Sequence, residues 1–255
     1  MSKGFDRSLA DLVDYGQLRT RQWLVEHGVS RHSLDNALKS GKLVPLARGV
    51  VARPGVSVGW QGVVASLDRM HSEPVYIGGL SALSEAGLGH YVDFSGSIHL
   101  YSSAPEPPWL KRLELDMNLV WHGTTRLWGP EGAPADSLKE VSENHFAYWV
   151  ASPEVAFLEV LAEVPDTVSF EHADNLMQGL SALSPKRLDA VLRVCRHVQV
   201  KRLFFFFADR YRYPWRKRLS SDDYDLGRGK RRVETGGKLD RTYWITVPEA
   251  FHGSE

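Results

Sequence analysis

The sequence predicts an α+β fold, and three observations carry that expectation. Residues 20–53 read as two short helices punctuated by glycine and followed by a hairpin, residues 96–128 alternate as strands do, and from Ser152 onward apolar residues recur at helical spacing. At 255 residues the chain has room for one large domain or two modest ones. The expected division is a small unit over 1–54 and a larger mixed α/β unit over 55–255. Within the latter, a β-rich part covers about 74–150, a helical part about 152–210, and a basic loop and strand 211–248.

The first unit is the most explicit. Thr20 is placed to cap a helix over Arg21–His27, because its hydroxyl can accept from the free amides of the first turn. Gly28 closes that helix, Val29 and Ser30 turn the chain, and Ser30 caps a second helix over Arg31–Lys39 that Gly41 ends. Two helices joined by a short turn containing glycine form a helix-turn-helix. A hairpin follows, Lys42–Leu46 and Val50–Arg53 about a turn at Ala47-Arg48-Gly49, in the position of a wing. Leu9, Leu12 and Val13 share a face and predict a preceding helix over Ser8–Asp14.

At about 100° per residue, Leu34, Ala37 and Leu38 of the second helix gather on one side. His32, Asn36 and Lys39 fall opposite, with Asp35 at the edge and Arg31 at the N-terminus. That is a row of hydrogen-bonding groups on a helix about 14 Å long, which suits a major groove. Asn can pair bidentately with adenine, and Arg, Lys or His can reach guanine or phosphate. Lys42, Arg48 and Arg53 on the wing would lie near phosphates, which set register without reading sequence. The same shape also serves as a protein-binding module, so the pattern alone leaves both readings open.

Beyond Pro54, Gly55–Gly59 reads as a linker, and Trp60–Met70 as a helix with Trp60, Val63, Val64 and Leu67 on its apolar face. Pro74–Ile77 is a short strand, and Ser81 is expected to cap a helix over Ala82–Ala86 ended by Gly87. Ser97–Tyr101, Asn118–His122 and Phe146–Val150 are further strands; Pro105, Pro107 and Pro108 interrupt the chain, and Gly129–Pro134 forms a surface loop. Ser152-Pro153-Glu154 opens a helix whose apolar face is Phe157, Leu158 and Leu161. Helices follow over Phe170–Leu180, Pro185–Cys195 and Val200–Arg210, and the tail Lys238–Pro248 reads as one strand.

A net charge of zero conceals a strong asymmetry. Residues 1–54 hold 9 Lys/Arg against 5 Asp/Glu, residues 55–185 hold 5 against 17, and residues 186–241 hold 17 against 7. Two basic ends thus flank an acidic middle, which points to a polyanionic partner or to ends that neutralise the middle by packing on it. No run approaches the roughly 18 apolar residues that span a bilayer, so a membrane partner is not expected. The single cysteine, Cys195, excludes an internal disulfide, and a reducing cytoplasm is the expected compartment.

Enzymatic signatures are weak. Gly-x-Ser-x-Gly, His-Glu-x-x-His and a Gly-x-Gly-x-x-Gly following a strand do not occur, and neither a metal nor a cofactor is expected. Cys195 and His197, two residues apart, point to different helix faces. Asp222, Asp223 and Asp225 could attract a hard cation but read more simply as a solvated turn. His71, His90, His99, His122 and His145 lack ligand spacing, and His172 with Asp174 is the one pair worth testing as a constellation.

The basic C-terminal stretch offers more. Lys201-Arg202 open an apolar run, Phe204–Phe207, that reads as a buried helix. Arg210, Arg212, Arg216, Lys217 and Arg218 interleave with Tyr211, Tyr213 and Trp215, a pattern that suits single-stranded nucleic acid or a snorkelling core edge equally. Gly227-Arg228-Gly229-Lys230-Arg231-Arg232 is a basic glycine-rich loop without Walker spacing, able to hold phosphate or to serve as a charged turn. Lys201, Arg202, Arg216, Lys217, Arg228, Lys230, Arg231 and Lys238 are therefore expected to form a second surface, for nucleic acid or for an antagonised partner.

Motifs spread along the chain resemble those of the AbiEi family of abortive-infection antitoxins. They include Trp60-Gln61-Gly62, Gly78-Gly79 with Ala82-Leu83, Gly87-Leu88-Gly89-His90-Tyr91, Pro108-Trp109-Leu110, and Ser152-Pro153-Glu154 with Ala156. The segments FEHADNLMQGL (170–180), Val200–Phe204, Leu226–Arg231, Gly236–Asp240 and Ile245–Pro248 complete the likeness. Val51 departs from a tyrosine common in the wing, and Arg228 from a small residue. The resemblance implies an antitoxin of a type IV toxin–antitoxin pair that represses its own operon by binding inverted repeats, with two copies on DNA. It also implies a nucleotidyltransferase toxin that the C-terminal domain counters without a stable complex, a role in phage defence, and no catalysis by the antitoxin.

Overall fold

The computed structural model describes residue 9 and residues 11–88 and 96–252. The chain opens with a short strand, β1 (Leu18–Thr20), and two helices, α1 (Arg21–Glu26) and α2 (Arg31–Lys39). The wing follows as β2 (Val44–Ala47) and β3 (Val50–Ala52). β3 lies between β1 and β2 and is antiparallel to both. Sequence reading missed β1, because three residues are too few to show an alternation. Of the helix expected over Ser8–Asp14, residues 9, 11 and 12 are helical, while Ser8 and Ala10 lie outside the described residues.

α3 (Trp60–Met70) leads to a five-stranded mixed sheet of order β6-β5-β4-β8-β7. Its strands are β4 (Tyr76–Ile77), β5 (Ser97–Ser102), β6 (Asn118–Gly123), β7 (Leu138–Glu143) and β8 (Phe146–Ala151). β4 pairs antiparallel with β5 and parallel with β8. α4 (Gly79–Glu85) and α5 (Thr125–Trp128) interleave with the strands, and α6 (Pro153–Ala162), α7 (Phe170–Gly179), α8 (Pro185–Val194) and α9 (Val198–Asp209) form the helical layer.

β7 and α5 escaped sequence reading; β7 is an edge strand whose Lys139, Glu140, Ser142 and Glu143 leave little apolar signal. α4 also starts earlier than expected. Its cap is Gly78, and Ser81 Oγ instead accepts from His99 N at 2.9 Å. The C-terminal tail is a hairpin rather than one strand: β9 (Lys238–Asp240) and β10 (Ile245–Val247) pair antiparallel about a turn. Asp240 Oδ1 accepts from Tyr243 N at 2.7 Å and folds that turn back.

Two apolar clusters hold the molecule. The larger runs from the sheet through α6 and α9, and the smaller joins Leu9, Val13, Trp23, Leu24, Val29, Leu34, Ala37, Leu43 and Val51. β3 serves both, since adjacent strand residues face opposite ways: Val50 enters the large cluster and Val51 the small one. α6 is buried on every side from Glu154 to Leu161, not on one face only, because α4, α8 and α9 all pack on it.

Candidate nucleic-acid interface

The two caps of the helix-turn-helix form as its sequence dictates. Thr20 Oγ1 accepts from Trp23 N and Ser30 Oγ from Ser33 N, each at 3.1 Å, and Gly28 takes φ 92° in the turn between the helices. Leu34 and Ala37 are buried, so the opposite side of α2 faces outward, with Arg31, His32, Asp35, Asn36 and Lys39 all exposed. Asn36 Nδ2 lies 3.0 Å from His32 Nε2, one turn apart, so each helps to hold the other's orientation. Asp35 is ion-paired with Arg21 of α1 and braces the angle between the helices.

On the wing, Lys42 and Arg48 are exposed. Arg53 is half-buried and committed to Tyr15: its Nη2 donates to the hydroxyl at 2.9 Å and its guanidinium carbon lies 3.9 Å from the ring centre. Arg48 and Arg21 also border a groove of about 680 Å³ whose far wall is Pro105–Trp109. Not every base of this basic end is available to a partner. Arg19 is fully buried, donating to Leu18 O at 2.7 Å and Gln17 Oε1 at 2.8 Å, and burial lowers its pKa to about 10. No sequence signal separated it from the surface cations.

The eight-residue C-terminal surface divides. Lys201 and Arg202 are corrections, because both are buried along α9 and offer nothing to a partner. Arg216 is held inside its own lobe, with Nε on Asp209 at 2.6 Å and its guanidinium over the Phe205 ring. Lys238 pairs with Glu249. Lys217, Arg228 and Lys230 remain exposed and Arg231 partly so. The interleaved aromatics settle on the core-edge alternative: Tyr211, Tyr213 and Trp215 each donate to a backbone carbonyl, of Asp174, Gln178 and Leu180 respectively. Arg210–Asp174 and Arg187–Glu154 pair the basic end with the acidic middle, so packing absorbs part of the asymmetry.

The catalytic candidates do not assemble. Burial raises the Cys195 thiol to about 11, and its sulfur faces His197 O. Asp174 is engaged by Arg210, and no hydrogen bond joins it to His172 among the described residues. Asp225 accepts from Gly227 N at 2.8 Å, while Asp222 and Asp223 lie exposed on a short turn. Among those residues no group of three or more His, Cys, Asp or Glu could hold a metal ion. His90 lies outside them.

One polar site escaped sequence reading entirely. Glu159, fully buried on α6, accepts from Tyr76 Oη at 2.6 Å, Gly79 N at 2.9 Å and Trp128 Nε1 at 3.4 Å. A side chain at Gly78 would overlap this carboxyl and the Tyr101 ring, which accounts for glycine there. Burial outweighs the three donors and raises the Glu159 pKa to about 7. Because the folded value lies above the unfolded one, the neutral carboxyl stabilises the fold below about pH 4.5. That contribution, about 3 kcal/mol, is lost as pH rises through about 7. Glu159→Gln should therefore flatten the decline in urea stability between pH 5 and 8. An unchanged slope in the variant would show that this carboxyl is not the titrating group.

Comparison with known families then decides the class. A model described as "Transcriptional regulator, AbiEi antitoxin N-terminal domain" matches residues 7–94, and one described as "Transcriptional regulator, AbiEi antitoxin, Type IV TA system" matches residues 95–248. The chain belongs to the AbiEi family. It is thus a regulatory antitoxin of the type IV class. The fold is similar to that in the crystal structure of the RV2827C protein from Mycobacterium tuberculosis. That likeness has a TM-score of 0.51 at 17% identity, over 90% of this chain and 85% of the other. No curated protein matches the sequence. The AbiEi models divide the chain at residue 94, so α3 and α4 are matched together with the helix-turn-helix. No described helix is long and apolar enough to cross a membrane.

Proposed function

We propose that this AbiEi-family chain is a cytoplasmic autorepressor, two copies of which bind inverted repeats in double-stranded DNA at their own promoter through α2 and the wing. The observation that carries the reading is the outward row His32, Asn36 and Lys39 on a capped helix, with Lys42 and Arg48 exposed beside it. Asn36 and His32 read base edges, and Arg31, Lys39, Lys42 and Arg48 hold phosphates. Asp35 acts indirectly by pairing with Arg21, and Arg53 through its stack on Tyr15. The C-terminal part counters a nucleotidyltransferase toxin without forming a stable complex, as a regulator and not as an enzyme. Family membership supports this antitoxin role.

Asn36→Ala should cost about 1–3 kcal/mol in operator binding and relax preference at one base pair. Because His32 and Asn36 touch, the double variant should lose less than the sum of the singles. The readout is the ratio of specific to random-duplex affinity in gel shifts. A ratio unchanged in both single variants would remove α2 from the recognition role.

A further inference from the structure

The loop from Leu226 to Arg231 is shaped from beneath by a buried cation. Arg202, 3% exposed, donates through Nε to Leu226 O at 2.7 Å, through Nη1 to Gly229 O at 2.6 Å and Trp244 O at 3.1 Å, and through Nη2 to Gly227 O at 3.1 Å. In a planar trans peptide the C=O and N–H point opposite ways. Drawing the Gly227 and Gly229 carbonyls inward therefore turns the N–H groups of Arg228 and Lys230 outward. Gly227 and Gly229 sit at φ 63° and 70°, and left-handed residues spaced in this way gather amides into a concavity that suits an anion. Among the described residues, the amides of Arg228, Gly229 and Lys230 meet no protein acceptor. The side chains of Arg228, Lys230 and Arg232 are exposed around them, and Arg231 folds back so that its Nη1 reaches Arg228 O at 3.1 Å. Asp225 is the carboxylate at this loop, and its hydrogen bond goes to Gly227 N, outside the outward-facing set.

Trp244 is stitched to the same loop. Its carbonyl accepts from Arg231 N at 2.8 Å as well as from Arg202, its φ is 54°, and its side chain is 53% exposed. A large indole left in water, on backbone that L residues seldom adopt, is disfavoured twice over. Unlike Tyr211, Tyr213 and Trp215, it is not anchored in the core edge. We infer that the loop from Leu226 to Arg231 and Trp244 together bind single-stranded nucleic acid, with a phosphate on the outward amides and flanking cations and an unstacked base on the indole. The indole decides between strands, since a duplex keeps its bases stacked and offers no face to a flat ring. Only Leu226 of this site packs on the large apolar cluster, and the site does not depend on the reading of α2.

The test titrates full-length protein into fluorescein-labelled 12-nucleotide single strands, RNA and DNA in separate arms, and into the matching duplex. Trp244→Ala should weaken single-strand binding roughly 5- to 100-fold, with Trp244→Phe staying close to wild type. Arg228→Ala and Lys230→Ala should each lower the log–log salt slope by about 0.7 per phosphate released. Lys111→Ala, an exposed cation outside both surfaces, should leave the single-strand affinity unchanged. A stronger RNA arm would assign part of the recognition to the 2′-hydroxyl, and equal arms would assign it to phosphate and base alone; both support the site. The inference is overturned if wild type binds no single strand at low salt, if Trp244→Ala changes nothing, or if the Phe variant is as weak as the Ala variant.

Discussion

Arg202→Met should lower the stability of the chain by about 3 kcal/mol. The methionine keeps the volume of the aliphatic stem but strands the carbonyls of Leu226, Gly227 and Gly229. Hydrogen bonds from a charged donor contribute roughly 1.5–3 kcal/mol each, and an exposed loop recovers part of that from water. For a chain of this size the loss corresponds to a melting temperature lower by about 6–12 °C. The Trp244 carbonyl keeps Arg231 N as a donor, so the hairpin should hold while the loop loosens. Limited proteolysis should then cut near residues 226–231 before anywhere else. Wild-type melting and wild-type cleavage would mean that the guanidinium does not organise this loop.

Operator binding should weaken roughly 10²–10³-fold between 50 and 200 mM salt, as about five phosphate contacts per monomer require. Arg31, Lys39, Lys42 and Arg48 are exposed on this unit, while Arg21 pairs with Asp35 and Arg53 is held on Tyr15. Arg48→Ala, at the tip of the wing, should weaken all duplex sequences alike and make the slope less steep by about one. Gel shifts across a salt series on operator and scrambled duplex would check both parts. A slope near zero would contradict a phosphate-led interface, and a sequence-selective loss in Arg48→Ala would move that residue into base readout.

Much of the reading head was legible because its signals are local. Thr20, Gly28, Ser30 and Gly41 act within four residues of themselves, and α2 spans the residues its cap and periodicity dictate. The outward polar groups of α2 were legible because their exposure follows from helical angle. Lys201 and Arg202 show the limit: a basic pair at the head of an apolar helix looks like a surface anchor, yet both sink because a distant loop supplies carbonyls for the guanidinium. Glu159 fails in the same manner, its donors lying in other segments, whereas Arg19 sits in β1 itself, a strand too short to see, with its acceptors Leu18 and Gln17 beside it. β7 was hidden by its charges, and Trp244 by standing in what read as one continuous strand.

The neighbouring valines of β3 have a mechanical consequence. With Val50 rooted in one core and Val51 in the other, and Leu18 N hydrogen-bonded to Ser66 Oγ of α3, the base of the wing is welded to both halves. The helix proposed to read DNA has no swivel of its own, and its aim is inherited from the body behind it. Two such molecules on facing half-sites would act as stiff calipers, matched to one separation and intolerant of a few inserted base pairs. Anything that grips the part built on the larger cluster would also turn α2.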